Sequence, residues 1–267
     1  MQFVVLTIFP EMFPPFWEHG IIRRAVEARK IVPSAVNIRD HAPGRHHVTD
    51  DRPYGGGCGM VMKPEPLAAA IQAARRAAPG AKTVLMSPQG RVFDQTMARE
   101  LARLDGLIFV CGRYEGVDER VCCDHIDAEL SIGDFVLTGG ELAAMVIIDA
   151  VTRLIPGVLG GEDSAEKDSF ENGLLEHAHF TRPEAFNGMR VPEVLLSGHH
   201  GRIEAWRREN ALIRTFLKRP ELLMERPLAG DEAAVLKKWG REIERIIQAQ
   251  SADARSLDGP GPLSGGQ

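Results

Sequence analysis

The sequence predicts an α/β fold, a mostly parallel sheet with helices on both faces, followed by a small, mostly helical second domain. Two patterns carry the first part. Through residues 1–159, short apolar runs alternate with stretches of about a dozen residues at helical spacing, the signature of strand-helix-strand units. Three successive runs also break at their carboxyl ends into loops of one character: SPQG at 87–90, GRYEG at 112–116 and IGDFVLTGG at 132–140. A third pattern carries the second part. Apart from a brief extended piece at 192–196, the periodic segments there, 201–217 and 231–248, are helical.

Taken in order, residues 3–9 (FVVLTIF) form the first strand. The run lacks a basic lead and is halted by Pro10 and Glu11, so it reads as a strand and not as a signal peptide. Residues 19–30 carry Ile21, Ile22, Ala25, Val26 and Arg29 at helical spacing, and 35–39 alternate as a second strand. From 40 to 63 the chain turns polar and glycine-rich. Pro64 starts a helix with Leu67, Ile71, Ala74 and Ala78 on one side, and Pro79 with Gly80 ends it. Residues 84–86 make a third strand, closed by the 87–90 loop, and Asp94 caps a helix with Met97, Leu101 and Leu104 in register. Residues 107–111, bounded by glycines, read as a buried strand, and 128–132 as a weaker one. Residues 141–154 are helical and apolar on nearly every face, which marks a helix buried all round or packed into an interface. Ligands of open α/β sheets bind outside the carboxyl ends of strands. If the three loop-bearing strands are neighbours, their loops form one binding edge.

Residues 157–173 (GVLGGEDSAEKDSFENG) show no apolar periodicity and fit a flexible connection. The domains are accordingly placed at 1–159 and 177–250, with a linker at 160–176. Residues 251–267, rich in Gly, Ser and Pro, read as a disordered tail.

The 267 residues are 44% hydrophobic and 26% charged, ordinary for a globular protein. A formal net charge of −5 excludes a molecule basic all over, so a nucleic-acid surface has to be a local patch. Residues 198–219 offer one. Arg202, Arg207, Arg208, Arg214, Lys218 and Arg219 stand against Glu204 and Glu209, six minus two giving +4, with Trp206 among them. That suits a phosphate backbone, and a solvated helix face is the plainer reading. Four cysteines, at 58, 111, 122 and 123, show no CxxC spacing, which points to a reducing cytoplasm and no structural zinc. No run reaches about 18 apolar residues, so no membrane span is expected.

The usual nucleotide motifs, GxGxxG after the first strand and GxxxxGK[ST], are missing. Gly55, Gly56, Gly57 and Gly59 could let a ligand approach backbone closely, or simply form a surface loop. His41, His46 and His47 with Asp50 and Asp51 can be drawn as a metal cluster, although they lack a helical i, i+4 presentation and a thiolate partner. Asp149 and Arg153, four apart, are either an intrahelical ion pair or a functional pair in an apolar helix. Asp168, followed by Glu171, suits a helix N-cap as well as a catalytic carboxylate.

At GRYEGVDERV, SIGDFVLTGGE, DAVTRLIPGVLG and KDSFENGLLE the chain stops being generic. Joined by DDRPYGGG, LMSPQGRVFDQ, HFTRPE and VPEVLLSGHH, these stretches closely resemble the bacterial tRNA (guanine-N1)-methyltransferases, the TrmD family of the SPOUT superfamily, over residues 1 to about 245. The resemblance implies S-adenosylmethionine-dependent methylation of N1 of the guanosine just 3′ of the tRNA anticodon. It also implies a cytoplasmic homodimer with an active site shared between subunits, a deep trefoil knot in the first domain, and tRNA binding by the helical domain. Magnesium is implied as a requirement, without a residue to mark its site. The cofactor contacts carried over are Ser87, Pro88 and Gln89; Gly112, Tyr114 and Glu115; and Ile132, Gly133, Asp134, Phe135, Val136, Leu137, Gly139 and Gly140. Asp168 matches the family's general base and Arg153 its catalytic arginine.

These roles make chemical sense, because N1 of guanine must lose a proton to a base, and a cation can steady the charge then building on O6. The sequence departs from the family at Cys58, where proline is usual, and at Phe135, where tyrosine is common. Two other readings are weighed beside it. A non-catalytic RNA-binding protein of the same fold would be expected to lack the Asp168 and Arg153 pair. A nucleotide-dependent enzyme acting on a small molecule would leave the basic patch without a purpose.

Overall fold

A computed structural model describes residues 1–160 and 168–257, with side chains as far as residue 248. The chain divides into two compact units, Met1–Ala165 and Glu166–Gln267.

The first unit opens with strand β1 (Gln2–Thr7), a short helix α1 (Pro14–Trp17), helix α2 (Gly20–Glu27) and strand β2 (Val32–Asn37). The polar stretch that follows pairs with itself through β3 (Asp50–Asp51) and β4 (Val61–Met62). Helix α3 (Pro64–Ala77), strand β5 (Lys82–Val92), helix α4 (Gln95–Leu101) and strand β6 (Gly106–Cys111) come next. Helix α5 (Glu119–His125), strand β7 (Ala128–Ser131) and helix α6 (Glu141–Thr152) complete it.

Five strands form one parallel sheet in the order β2-β1-β6-β5-β7. A parallel sheet covered on both faces needs apolar residues at every position, and β6 meets that demand with all six residues buried. Alternation then divides them. Phe3, Val5, Val84, Met86, Leu107, Phe109 and Cys111 pack on one face with side chains of α2, α4 and α6. Val4, Leu6, Leu85, Ile108 and Val110 pack on the other with α3 and α5. The predicted parallel sheet flanked by helices is therefore present, and β5, β6 and β7 are consecutive in it.

Asp94 caps α4 as expected, its Oδ1 accepting from the Met97 N–H at 2.7 Å. Asp94→Ala is expected to lower the stability of the folded protein by about 0.5–2 kcal/mol in urea unfolding.

Local structure departs from the sequence reading in several places. Helix α5 was not anticipated. Asp118 starts it by accepting from the Arg120 N–H, and only Val121 is fully buried, so its apolar signal is weak. The 87–90 loop does not close its strand, since β5 pairs with β7 again at Arg91 and Val92.

The second unit has a small hairpin, β8 (Ala185–Phe186) with β9 (Met189–Arg190), and helices α7 (Glu193–Leu196), α8 (His200–Lys218), α9 (Glu221–Met224) and α10 (Gly230–Leu257). Helix α7 replaces the extended piece expected at 192–196, and the hairpin and α9 were not foreseen. Helix α10 runs into the stretch read as a disordered tail, while 258–267 lie outside the described residues. Residues 161–167 of the expected linker also lie outside them. From Asp168 onward the chain is a series of turns, with the Phe170 N–H donating to the Leu174 carbonyl at 2.7 Å. No helix follows Asp168, which removes the capping role considered for it.

Candidate active site

The carboxyl ends of β5, β6 and β7 each release a loop onto the same edge of the sheet. On β5, Met86 and Arg91 both stand opposite Leu130, so residues 87–90 loop out as a bulge between them. Gly90 has to be glycine, because a Cβ there would stand 2.3 Å from the Glu129 carbonyl carbon. After β6, the 112–116 loop is tied to the polar stretch below it. The Glu115 N–H donates to the Met60 carbonyl (3.0 Å), and the Met62 N–H donates to the Gly116 carbonyl (2.9 Å). Tyr114 has a φ of 60°, in the left-handed region that residues other than glycine adopt only uncommonly. After β7, the 132–140 loop returns to β6, where the Gly140 N–H donates to the Gly112 carbonyl at 3.0 Å and Arg113 bridges Gly139.

The three loops enclose a cavity of about 320 Å³, a size typical of small-ligand sites. Of the loop residues singled out in the sequence, all but Asp134 line it, and Asp134 is exposed. Glycines 112, 116, 133, 139 and 140 let backbone form part of its wall. A Cβ on Gly140 would meet the Cys111 Cα at 2.8 Å and the Met86 Cβ at 2.9 Å, although the φ of −80° is open to any residue. Gly140→Ala should therefore push α6 away from β6 and cost about 1–3 kcal/mol of stability, measured by urea unfolding.

Arg113 and Glu141 were not anticipated, and they hold the site together. Glu141, 1% exposed at the start of α6, receives the Arg113 Nε at 3.1 Å and its Nη2 at 2.9 Å. The Thr7 hydroxyl donates to the same carboxylate at 2.6 Å. Arg113 also donates from Nη1 to the Thr138 carbonyl (3.2 Å) and lies 4.7 Å over the Phe9 ring. One buried carboxylate thereby joins the ends of β1 and β6 to the loop after β7. The helix N-terminus adds to its stabilisation.

The nearby thiols are not nucleophiles. Burial, helped by the Glu141 carboxylate, pushes the Cys111 thiol well up. Cys122, which lines the cavity, is pushed up to about 11, chiefly by burial. Both are protonated near neutrality.

Arg153 and Asp168 do not line this cavity. Arg153 stands at the C-terminal cap of the 12-residue α6, and Gly140 is at its start. The two are about 20 Å apart along one helix. Asp168 is partly buried in the turns that open the second unit. His41, His46 and His47 form no metal-ligating group with Asp50 and Asp51. His47 instead places Nδ1 2.9 Å from the Arg39 carbonyl. In the second unit, Arg202, Arg207, Arg208, Lys218 and Arg219 are exposed on α8 or at its end, and Arg214 is partly buried. Trp206 is half-buried, with its ring 6.2 Å from both His177 and Phe180.

A parallel α/β sheet with a cavity of this size at its carboxyl edge marks the first unit as a small-ligand-binding domain. Comparison with known proteins supplies the particular family. Residues 1–225 match the family model described as tRNA (Guanine-1)-methyltransferase TrmD. The chain is 56% identical over 264 residues to the tRNA (guanine-N(1)-)-methyltransferase of Desulfatibacillum aliphaticivorans, covering 99% of each chain. It is also 56% identical over 244 residues to the protein of that name from Geobacter sulfurreducens, covering 91% of this chain and all of the other. The chain belongs to the TrmD family of tRNA (guanine-1)-methyltransferases.

Proposed function

We propose that the protein methylates N1 of the guanosine immediately 3′ of the anticodon in tRNA, with S-adenosylmethionine as donor. The observation that carries this reading is the cavity at the ends of β5, β6 and β7, made from the loops that the family resemblance assigns to the donor. Its residues fit such a group. The donor combines a planar base, a polyhydroxylated sugar and an amino-acid tail. The cavity combines the apolar side chains of Phe135, Val136 and Leu137, the Glu115 carboxylate, and backbone that glycines leave open to approach. When bound, S-adenosylmethionine supplies an electrophilic methyl group.

The protein's own part is to prepare the guanine. Asp168 accepts the proton that N1 gives up, and Arg153 steadies the negative charge that then gathers on O6. Arg153 is about 20 Å along α6 from Gly140 in the cavity of its own copy. A homodimer whose active site is shared between subunits brings the two together, and α6 offers the face for it. Leu142 and Val146, one turn apart on that apolar helix, are 52% and 49% exposed. The knot follows from the same family reading. After β6 the chain crosses β5 to pair as β7 on the far side, then returns to Gly112 through Gly140, a path that suits threading.

The basic face of α8 meets the phosphates of tRNA, which makes the cytoplasm the place of action. Among the described residues no helix is long and apolar enough to cross a membrane. Magnesium rests on the family resemblance alone, because it commonly binds through one or two carboxylates with waters and substrate phosphates, a pattern that marks no particular residues here. No step is assigned to it.

Methyl transfer to tRNA transcripts that differ only at the base 3′ of the anticodon tests the reading. Transfer is expected with guanine at that position and not with adenine. Binding of tRNA without transfer would favour the non-catalytic alternative.

A further inference from the structure

Three potential ligand side chains gather in the second unit at a place the methyl-transfer reading does not use. Ligating atoms of Glu176, His177 and His179 all lie within 4.8 Å of one another. The backbone that bears them is already pinned. The Leu175 N–H donates to the hydroxyl of fully buried Thr215 (2.8 Å), the Glu176 N–H to the Ser169 hydroxyl (3.0 Å), and the Ala178 N–H to the Asn210 Oδ1 (2.7 Å). The two imidazole rings are 4.6 Å apart, and the His179 Nε2 is 3.0 Å from the Glu176 Oε1. His177 Nδ1 lies 3.0 Å from the Ala178 carbonyl. A proton on that nitrogen leaves Nε2 as the electron-pair donor, the arrangement found where an imidazole binds a metal and its other nitrogen bonds to protein.

We propose that Glu176, His177 and His179 form a binding site for a borderline divalent transition-metal ion, zinc above all, with a fourth position left to water. Two imidazoles and one carboxylate are a donor set for zinc and not for magnesium, which prefers oxygen alone. Tetrahedral zinc at its usual bond lengths needs ligand atoms roughly 3.4 Å apart, so the cluster has to contract. The His179 side chain, 63% exposed, is free to make that adjustment. The simpler alternative is an ion pair between Glu176 and His179 with His177 packed against Trp206, and zinc binding that depends on His177 separates the two. A bound ion would also stiffen the turn that carries Asp168, because Glu176 is hydrogen-bonded to Ser169.

The test is calorimetric titration of the metal-free full-length protein with zinc chloride, paired with visible absorption after cobalt(II) is added. One equivalent of zinc is expected to bind, and cobalt to show the bands of a low-coordinate site. His177→Ala and His179→Ala should each weaken zinc binding by at least about tenfold, as loss of even an outer partner of a metal ligand does. A variant carrying both His46→Ala and His47→Ala should bind as the parent does. Matching circular dichroism of the metal-free variants excludes misfolding, and Glu176→Gln gives a third, milder substitution that should also weaken binding. Absence of zinc binding, or binding untouched by the His177 and His179 substitutions, would overturn the proposal. Because the readout is metal binding and not methyl transfer, the result stands whatever the protein's activity on tRNA proves to be.

Discussion

Asp168→Ala is expected to lower methyl transfer to tRNA by about 10²–10⁴-fold, the usual contribution of a positioned general base. S-adenosylmethionine binding should be unchanged, because Asp168 belongs to the second unit and the described residues that line the cavity all belong to the first. Asp168→Asn should behave in the same way, since the amide keeps the shape and cannot take the proton. Single-turnover rates together with equilibrium binding of the donor separate the two effects. A loss of donor affinity that tracks the loss of rate would remove Asp168 from the role of base.

The second large effect concerns stability. Glu141→Ala is expected to destabilise the protein by about 3–5 kcal/mol, because it leaves the Arg113 guanidinium without its carboxylate in a largely buried place. Whole domains are stable by only about 5–15 kcal/mol, so the variant should unfold at far lower urea concentration. The Thr7 hydroxyl loses its acceptor at the same time. Glu141→Gln, which keeps an oxygen for Thr7, should fall between the two. A change under about 1 kcal/mol for the alanine variant would mean that the ion pair contributes no net stabilisation in place.

Much of the first unit was legible because its strands are short, apolar and separated by well-marked helices. Pro64 and Asp94 announced the starts of α3 and α4, and the apolar run at 107–111 became the fully buried β6. What escaped had weak or misleading local signals. Pro88 and Gly90 read as the end of a strand, yet they form a bulge after which pairing resumes, a long-range fact that depends on β7. Helix α5 buries too little apolar surface to show a clear period. Arg113 and Glu141 are 28 residues apart, and nothing local links them. Family resemblance pointed to the loop residues that the structure gathers around one cavity, Asp134 excepted. The histidines that the sequence offered as a metal cluster, His41, His46 and His47, are not the ones brought together, whereas Glu176, His177 and His179, which carry no spacing signal, are.

Where Gly112 and Gly140 line the cavity its wall is main chain, and substitution has few ways to reshape it there. Gly140 has no room for even a methyl group, and Gly112 and Gly140 are joined through main-chain atoms that every amino acid shares. Inhibitors that lean on that part of the wall would therefore be harder to escape by substitution than those that rely on the exposed side chains of the lining, such as Pro88, Gln89, Tyr114, Glu115, Phe135 and Val136.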